Sequence, residues 1–265
     1  MNGQAHQVLI VQGSERRDGD TSAVAEHLAR LLEPLGCTAQ VLRLVDYTVA
    51  PCGACGSCND RVLPCAVDDD TAAIVERMKA ADAIVYGAPV HGFGMAATMQ
   101  SFVERAGVGY LRFERPLADK VGGAFVVGRR YSHGKVIDQL YSNLLLNRLI
   151  LVGAGFPPEF HTAGGASPLD DHEAMAALES MAVRMVAMLR SLHRAGGLDS
   201  DERLAVNERR ATEHHAAERH RRPDHGRPPD HRVSAVGPDN RAPAVGPDDD
   251  RRFHPVPTPR GTVRT

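Results

Sequence analysis

No apolar run in this chain approaches about 20 residues, so the sequence predicts no membrane span. Strong charge of either sign is also missing. The formal net charge is −2 over 265 residues, which points away from nucleic acid and other polyanions as partners. The first residues, Met-Asn-Gly-Gln-Ala-His-Gln, lack a basic stretch followed by an apolar one, so no export signal is expected and a reducing, cytoplasmic setting is. Lysine is scarce, at 3 of the 31 basic residues, a bias typical of a GC-rich genome such as an actinomycete's. Cysteine is scarce outside one segment. Cys37 stands alone after Leu35-Gly36 at the entry of an apolar strand and reads as a small buried residue.

The other four cysteines, Cys52, Cys55, Cys58 and Cys65, fall within fourteen residues. Two-residue gaps bring successive sulfurs around a common point, Gly53 and Gly56 ease the wrapping backbone, and a thiolate after six intervening residues can close a tetrahedral set. Structural zinc held by cysteines alone normally uses two CxxC knuckles on a longer loop, so a cubane iron-sulfur cluster suits the spacing better. Zinc, redox-active or disulfide-bonded cysteines, and no centre at all remain alternatives on the spacing alone.

Composition divides the chain near Gly196-Gly197. Residues 1–198 have the size of one domain, whereas 199–265 hold 9 of the 17 prolines, 6 of the 13 histidines and no cysteine. This tail is expected to be disordered, because it has too little apolar surface to offset chain entropy. Its 13 arginines face 12 acidic residues, and its histidines lack ligand spacing, so neither a nucleic-acid arm nor a metal site is expected there.

Strand and helix patterns alternate through the first part. Strands are expected at 8–11, 41–44, 83–87, 123–127 and 149–152. A helix with its apolar positions at Val24, Leu28, Leu31, Leu32 and Leu35 is expected after the first strand, ended by Gly36; others are expected from an Asp69 or Asp70 cap to Ala80, and over 96–105, 138–148 and 171–193. The cysteine loop, 47–68, follows the second strand. The pattern defines an α/β fold with a doubly wound, five-stranded parallel sheet, whose ligands bind at the carboxyl ends of the strands.

The first strand-to-helix turn, Gly13-Ser14-Glu15-Arg16-Arg17-Asp18-Gly19-Asp20-Thr21-Ser22, places hydroxyls, arginine and glycine at a helix N-terminus, as a phosphate site requires. It matches neither a Walker loop nor GxGxxG. Hydroxyls and glycine in this position also serve as a plain cap and turn.

This loop resembles the GSPRxxGNT phosphate loop of NADPH-dependent FMN reductases. Gly87-Ala88-Pro89-Val90-His91 is similar to their GSPVY flavin loop, Ala97 to Arg105 to their AxxKxFIDR helix, Val127-Gly128-Arg129-Arg130 to their fourth-strand loop, and Val152 to Pro157 to their fifth-strand ending. With the cysteines, the resemblance narrows to the iron-sulfur flavoproteins over roughly residues 7–190. It implies a flavodoxin-like fold, FMN, a 4Fe-4S cluster on Cys52, Cys55, Cys58 and Cys65, NAD(P)H as an electron donor, and a homo-oligomer. It implies that Ser14, Arg16, Thr21 and Ser22 hold the FMN phosphate and that Pro89, Val90, His91, Phe93, Gly128, Arg129 and Gly134 line the isoalloxazine. His91 and His133 are the titratable groups nominated for proton transfer.

Three positions depart from the family pattern. Asp20 replaces asparagine and brings a carboxylate to the phosphate loop; His91 replaces tyrosine and Phe93 glycine beside the ring. The expected activity is FMN-dependent oxidation of a small organic molecule, with electrons leaving through the cluster to a one-electron carrier such as ferredoxin. The resemblance also names a specific substrate: one branch of the family dehydrogenates 2-amino-4-deoxychorismate in secondary metabolism of the antibiotic-producing kind. Two other readings are an NAD(P)H-dependent flavin or quinone reductase without a cluster, and a non-enzymatic electron carrier or redox sensor.

Overall fold

The computed structural model describes residues 5–53, 65–106 and 115–198. Cys55, Cys58 and the 199–265 tail lie outside the described residues. No helix among the described residues is long and apolar enough to cross a membrane.

Five parallel strands form the sheet: β1 (His6–Gln12), β2 (Cys37–Arg43), β3 (Ala83–His91), β5 (Val121–Gly128) and β6 (Ile150–Leu151), ordered β2-β1-β3-β5-β6. Two short strands join them: β4 (Gly94–Met95) runs antiparallel to β3, and β7 (Glu159–His161) runs parallel to β5. The apolar run Val8 to Val11 is continuous because helices cover both sheet faces. Val8 and Ile10 pack with α1 (Asp20–Leu32) and α5 (His172–Ala195). Leu9 and Val11 pack on the other side with α2 (Thr71–Ala80), α3 (Ala97–Glu104) and α4 (His133–Leu146). Cys37 opens β2 as a buried residue, and burial pushes its thiol pKa up.

Several boundaries differ from expectation; β2, for one, begins at Cys37, four residues ahead of Val41. α1 starts at Asp20 and stops at Leu32 rather than running on to Gly36, because Pro34 supplies no N–H; Gly36 then turns the chain at φ 86°. α4 starts at His133 rather than Asp138, preceded by Ser132 in a left-handed conformation. β3 continues past Gly87 to His91 and folds back through β4 as a hairpin. The fifth strand is split. β6 pairs with Val121 and Gly122, the chain loops out through Gly155 and two prolines, and β7 resumes beside Val126 to Gly128. Pro157 and Pro158 carry no N–H for a ladder, so the interruption falls there.

Candidate active site

The β1–α1 loop is shaped from beneath by Gln12, a fully buried residue whose role is not visible in the sequence pattern. Its Oε1 accepts from the Ser14 N–H at 2.8 Å, and its Nε2 donates to Ser22 Oγ at 3.2 Å. Ser22 Oγ in turn donates to the Arg17 carbonyl at 2.7 Å. The hydroxyl expected to meet a phosphate is therefore spent on the loop itself. Gly13 is required by space, since a Cβ there would lie 2.3 Å from Met99 Cβ. Gly19 caps α1 without a side-chain acceptor, so the N–H groups of the first turn are left for a ligand. The aligned peptide dipoles favour an anion at that position.

Above these donors lies a pocket of about 230 Å³. Ser14, Arg16, Gly19, Asp20 and Thr21 form its floor, Pro89, Val90 and His91 one wall, and Val127, Gly128 and Arg129 the opposite wall. Thr162 closes it from the segment after β7, tied to the Gly128 carbonyl by its N–H at 2.9 Å. Because β7 was not anticipated, nothing in the sequence flagged Thr162. A second chamber of about 390 Å³ shares Val90 and Arg129 and adds Gly92, Phe93, Arg130 and Tyr131. A smaller chamber beside the uncapped start of α1 thus adjoins a larger one with aromatic and guanidinium walls.

The hairpin supplying Phe93 is a two-residue turn. His91 pairs with Gly94, and Gly92 and Phe93 both have positive φ, 51° and 65°. Phe93 is 68% exposed and Tyr131 63%, so both rings stand free at the chamber mouth. His91 Nδ1 lies 3.7 Å from Glu15 Oε2, bridging the two loops across the pocket. Asp20 lines the pocket as an exposed first-turn residue and is not the N-cap of α1, so it brings a negative charge to the pocket's edge.

Three nominated residues fall outside the pocket wall. His133 is buried, with Nε2 3.0 Å from the Phe160 carbonyl and its ring stacked 4.1 Å from that of His161. Burial behind Gly128 removes it from the proton-transfer role; it is a support, since a Cβ on Gly128 would meet His133 Nε2 and Val90 Cγ2 at 2.8 Å each. Ser22 is buried in the Gln12 network. Gly134 lies in the first turn of α4, near Glu159.

The cysteine loop has a bonded mouth. Thr48 N–H donates to Asp70 Oδ2 at 2.7 Å and Ala50 N–H to Asp69 Oδ2 at 2.8 Å, while Asp69 Oδ1 accepts from Thr71 N–H at 3.1 Å. Asp70 is the N-cap residue of α2, yet its side chain is used on the loop rather than on the helix. Arg105, directly after α3, donates to Asp69, to the Ala50 carbonyl at 3.1 Å, to Thr71 Oγ1 at 3.0 Å, to the Val67 carbonyl at 3.3 Å and to Cys65 Sγ at 3.5 Å. Burial alone would push the Asp69 carboxyl up; the Arg105 guanidinium and the Ala50 and Thr71 N–H groups outweigh it and hold that carboxyl below its usual range. Cys65 is half-buried and Cys52 exposed. Among the described residues no three potential ligands converge on one point. Arg105 Nε is buried with no acceptor among the described residues, a spare donor on the guanidinium that reaches Cys65. A sulfur-rich group bound there fits that donor.

Sheet order, first-strand anion loop and ring-sized chamber together define a flavodoxin-like protein. The family model for NADPH-dependent FMN reductase matches residues 6–159, more than half of the chain. The chain is 30% identical over 167 residues to an iron-sulfur flavoprotein of Methanocaldococcus jannaschii, covering 62% of this chain and 85% of that protein. It is 30% identical over 145 residues to the iron-sulfur flavoprotein of Methanosarcina thermophila, covering 54% and 75%. The chain belongs to the NADPH-dependent FMN reductase family, in its iron-sulfur flavoprotein branch, and is an FMN-dependent oxidoreductase. Among solved structures, RosB covers 97% of this chain and 100% of its own at TM-score 0.61 and 17% identity. A flavone reductase covers 72% and 66% at TM-score 0.55 and 15% identity. At these identities the likeness concerns the fold.

Proposed function

We propose that this chain oxidises a small, planar, anionic molecule with FMN and passes the electrons singly through an iron-sulfur cluster on Cys52, Cys55, Cys58 and Cys65. The carrying observation is the double chamber: uncapped helix donors at one end, and Arg129 and Arg130 with exposed Phe93 and Tyr131 at the other. Ser14, Arg16, Thr21 and the first-turn N–H groups hold the FMN phosphate; Pro89, Val90, His91, Phe93, Gly128 and Arg129 flank the ring. FMN accepts two electrons as hydride and a cluster carries one at a time, so together they link a two-electron oxidation to a one-electron carrier such as a ferredoxin. Arg129 and Arg130 pair with substrate carboxylates, and Phe93 and Tyr131 offer ring faces to a planar substrate.

His91 is the one nominated histidine that faces the pocket, and it receives the proton released as the substrate is oxidised. A chorismate-derived cyclohexadiene such as 2-amino-4-deoxychorismate meets these requirements: it carries carboxylates, and loss of a hydride and a proton makes it aromatic.

Protein purified anaerobically should hold FMN, iron and sulfide in stoichiometric amounts, and the bound flavin should bleach on addition of the cyclohexadiene. Zinc in place of iron would overturn the cluster assignment, and a full cluster spectrum in Cys58→Ser would exclude Cys58 as a required ligand. Bleaching by NADPH but not by any carboxylated diene would overturn the substrate class.

A further inference from the structure

Arg105 lies outside the flavin pocket and has no part in the reaction above, yet it is among the most heavily bonded side chains in the domain. Only 2% of it is exposed, and one guanidinium group spans both ends of the cysteine loop: Ala50 before the first cysteine, Cys65 and Val67 at and after the last. We propose that Arg105 is a positioning residue for the cluster: it clasps the loop closed, and its donation to Cys65 Sγ raises the cluster's reduction potential. The proposal rests on the cluster assignment made above.

Two physical effects carry it. A reduced cluster has one more negative charge than an oxidised one, so a fixed cation with a donor on a ligand sulfur stabilises the reduced form more. The charge is not free to relax away, because Asp69 and Thr71 fix the guanidinium from behind. Asp69 neutralises part of the charge, while the N–H donated to Cys65 stays directed at the sulfur. Arg105 also follows α3, whose other end continues from the Val90–Met95 hairpin of the flavin pocket. A single helix therefore joins the ring wall to the clasp.

Arg105→Lys keeps the charge and the Asp69 pair but loses the planar fork that reaches Cys65. Arg105→Gln with Asp69→Asn replaces the buried ion pair by neutral amides and avoids an unpaired buried charge. Each full chain, with FMN, iron and sulfide quantified, is titrated anaerobically while the reduced cluster is followed by EPR and the flavin by absorbance. The expected result is a cluster potential lowered by a tenfold change in its one-electron equilibrium constant, about 59 mV, with the flavin potential unchanged. An assembled cluster at the wild-type potential would overturn the proposal, since a merely structural arginine alters loading and thermal stability but not the potential. A wild-type protein without iron would instead refute the cluster assignment itself. A direct readout compares the two proteins labelled with ¹⁵N-arginine: pulsed EPR of the reduced cluster should detect a guanidinium nitrogen in wild type that is lost in Arg105→Lys, and absence of that difference would equally overturn it.

Discussion

Phe93 occupies a backbone conformation that suits glycine, and the structure allows its strain to be separated from its function. Its φ of 65° follows Gly92 at 51° in the His91–Gly94 turn, and a residue with a Cβ in the left-handed region costs about 1–2 kcal/mol. Phe93→Ala removes the ring and keeps the strain; Phe93→Gly removes both. Glycine loses roughly 0.5–1 kcal/mol through its greater freedom in the unfolded chain, so the glycine variant should exceed the alanine variant by about 1 kcal/mol. For a domain of this size that is a difference of about 2–4 °C in Tm. The ring itself is 68% exposed, so its removal costs less than about 1 kcal/mol of burial in either variant. Thermal unfolding of both FMN-loaded variants side by side reads the difference. An alanine variant as stable as the glycine variant would refute the strained turn. Under the proposed function both variants should weaken substrate binding equally, because both lose the same aromatic face. Strain of this size persists where the side chain that causes it is used.

Three further outcomes follow from the site geometry. Asp20→Asn removes a carboxylate from the phosphate chamber and should tighten FMN binding by about 1 kcal/mol, or roughly fivefold, at low salt and less at high salt, read by quenching of flavin fluorescence on titration into apo-protein. Gly128→Ala drives a methyl group into His133 Nε2 and Val90 Cγ2 and should cost about 1–3 kcal/mol in stability together with a loss of FMN affinity, read by thermal unfolding and by the same titration. The Asp69 carboxyl is depressed in the folded state, so the stability it contributes is fully present above the unfolded carboxylate value of about 4 and lost as pH falls through the lower folded value. Denaturant unfolding between pH 6 and 2 should show wild type losing this increment on acidification, with Asp69→Asn already lacking it at pH 6.

The strands and helices were legible wherever one period dominated. Val8 to Val11 and Ala83 to Gly87 are buried on both faces and read as unbroken apolar runs. Legibility failed where backbone conformation, rather than side-chain pattern, decides. α4 begins at His133, five residues before the expected start, after Ser132 in a left-handed conformation whose hydroxyl caps no backbone N–H, so the backbone rather than the serine's capping preference sets the start. Pro157 and Pro158 split an edge strand, and Thr162 reaches the pocket directly after its second half. The first-strand loop and the Gly87–His91 segment were legible as motifs, but a motif names residues without their direction. Ser14, Arg16 and Thr21 line the pocket, whereas Ser22, one residue further along α1, turns back to Gln12.

Gln12 and Arg105 share a physical role that the hydrophobic pattern of the sequence does not display. A loop that must present its groups to a ligand has little apolar surface with which to hold itself, so its shape has to come from hydrogen bonds. Such bonds contribute most when their donors are buried, because an unmade one then costs the full desolvation of the group. Gln12 closes the phosphate loop onto Ser14 and Ser22 from the end of β1. Arg105 closes the cysteine loop onto Ala50 and Val67 from the end of α3. Each is a long polar residue at the terminus of a buried element, where the hydrophobic period has just ended and the pattern no longer distinguishes a solvated side chain from one folded inward. Removing either should therefore weaken ligand binding more than it disturbs the sheet. For Gln12→Ala, FMN affinity should fall while the Tm of apo-protein moves by only a few degrees; a large Tm loss with unchanged affinity would make Gln12 a core residue rather than the organiser of the loop.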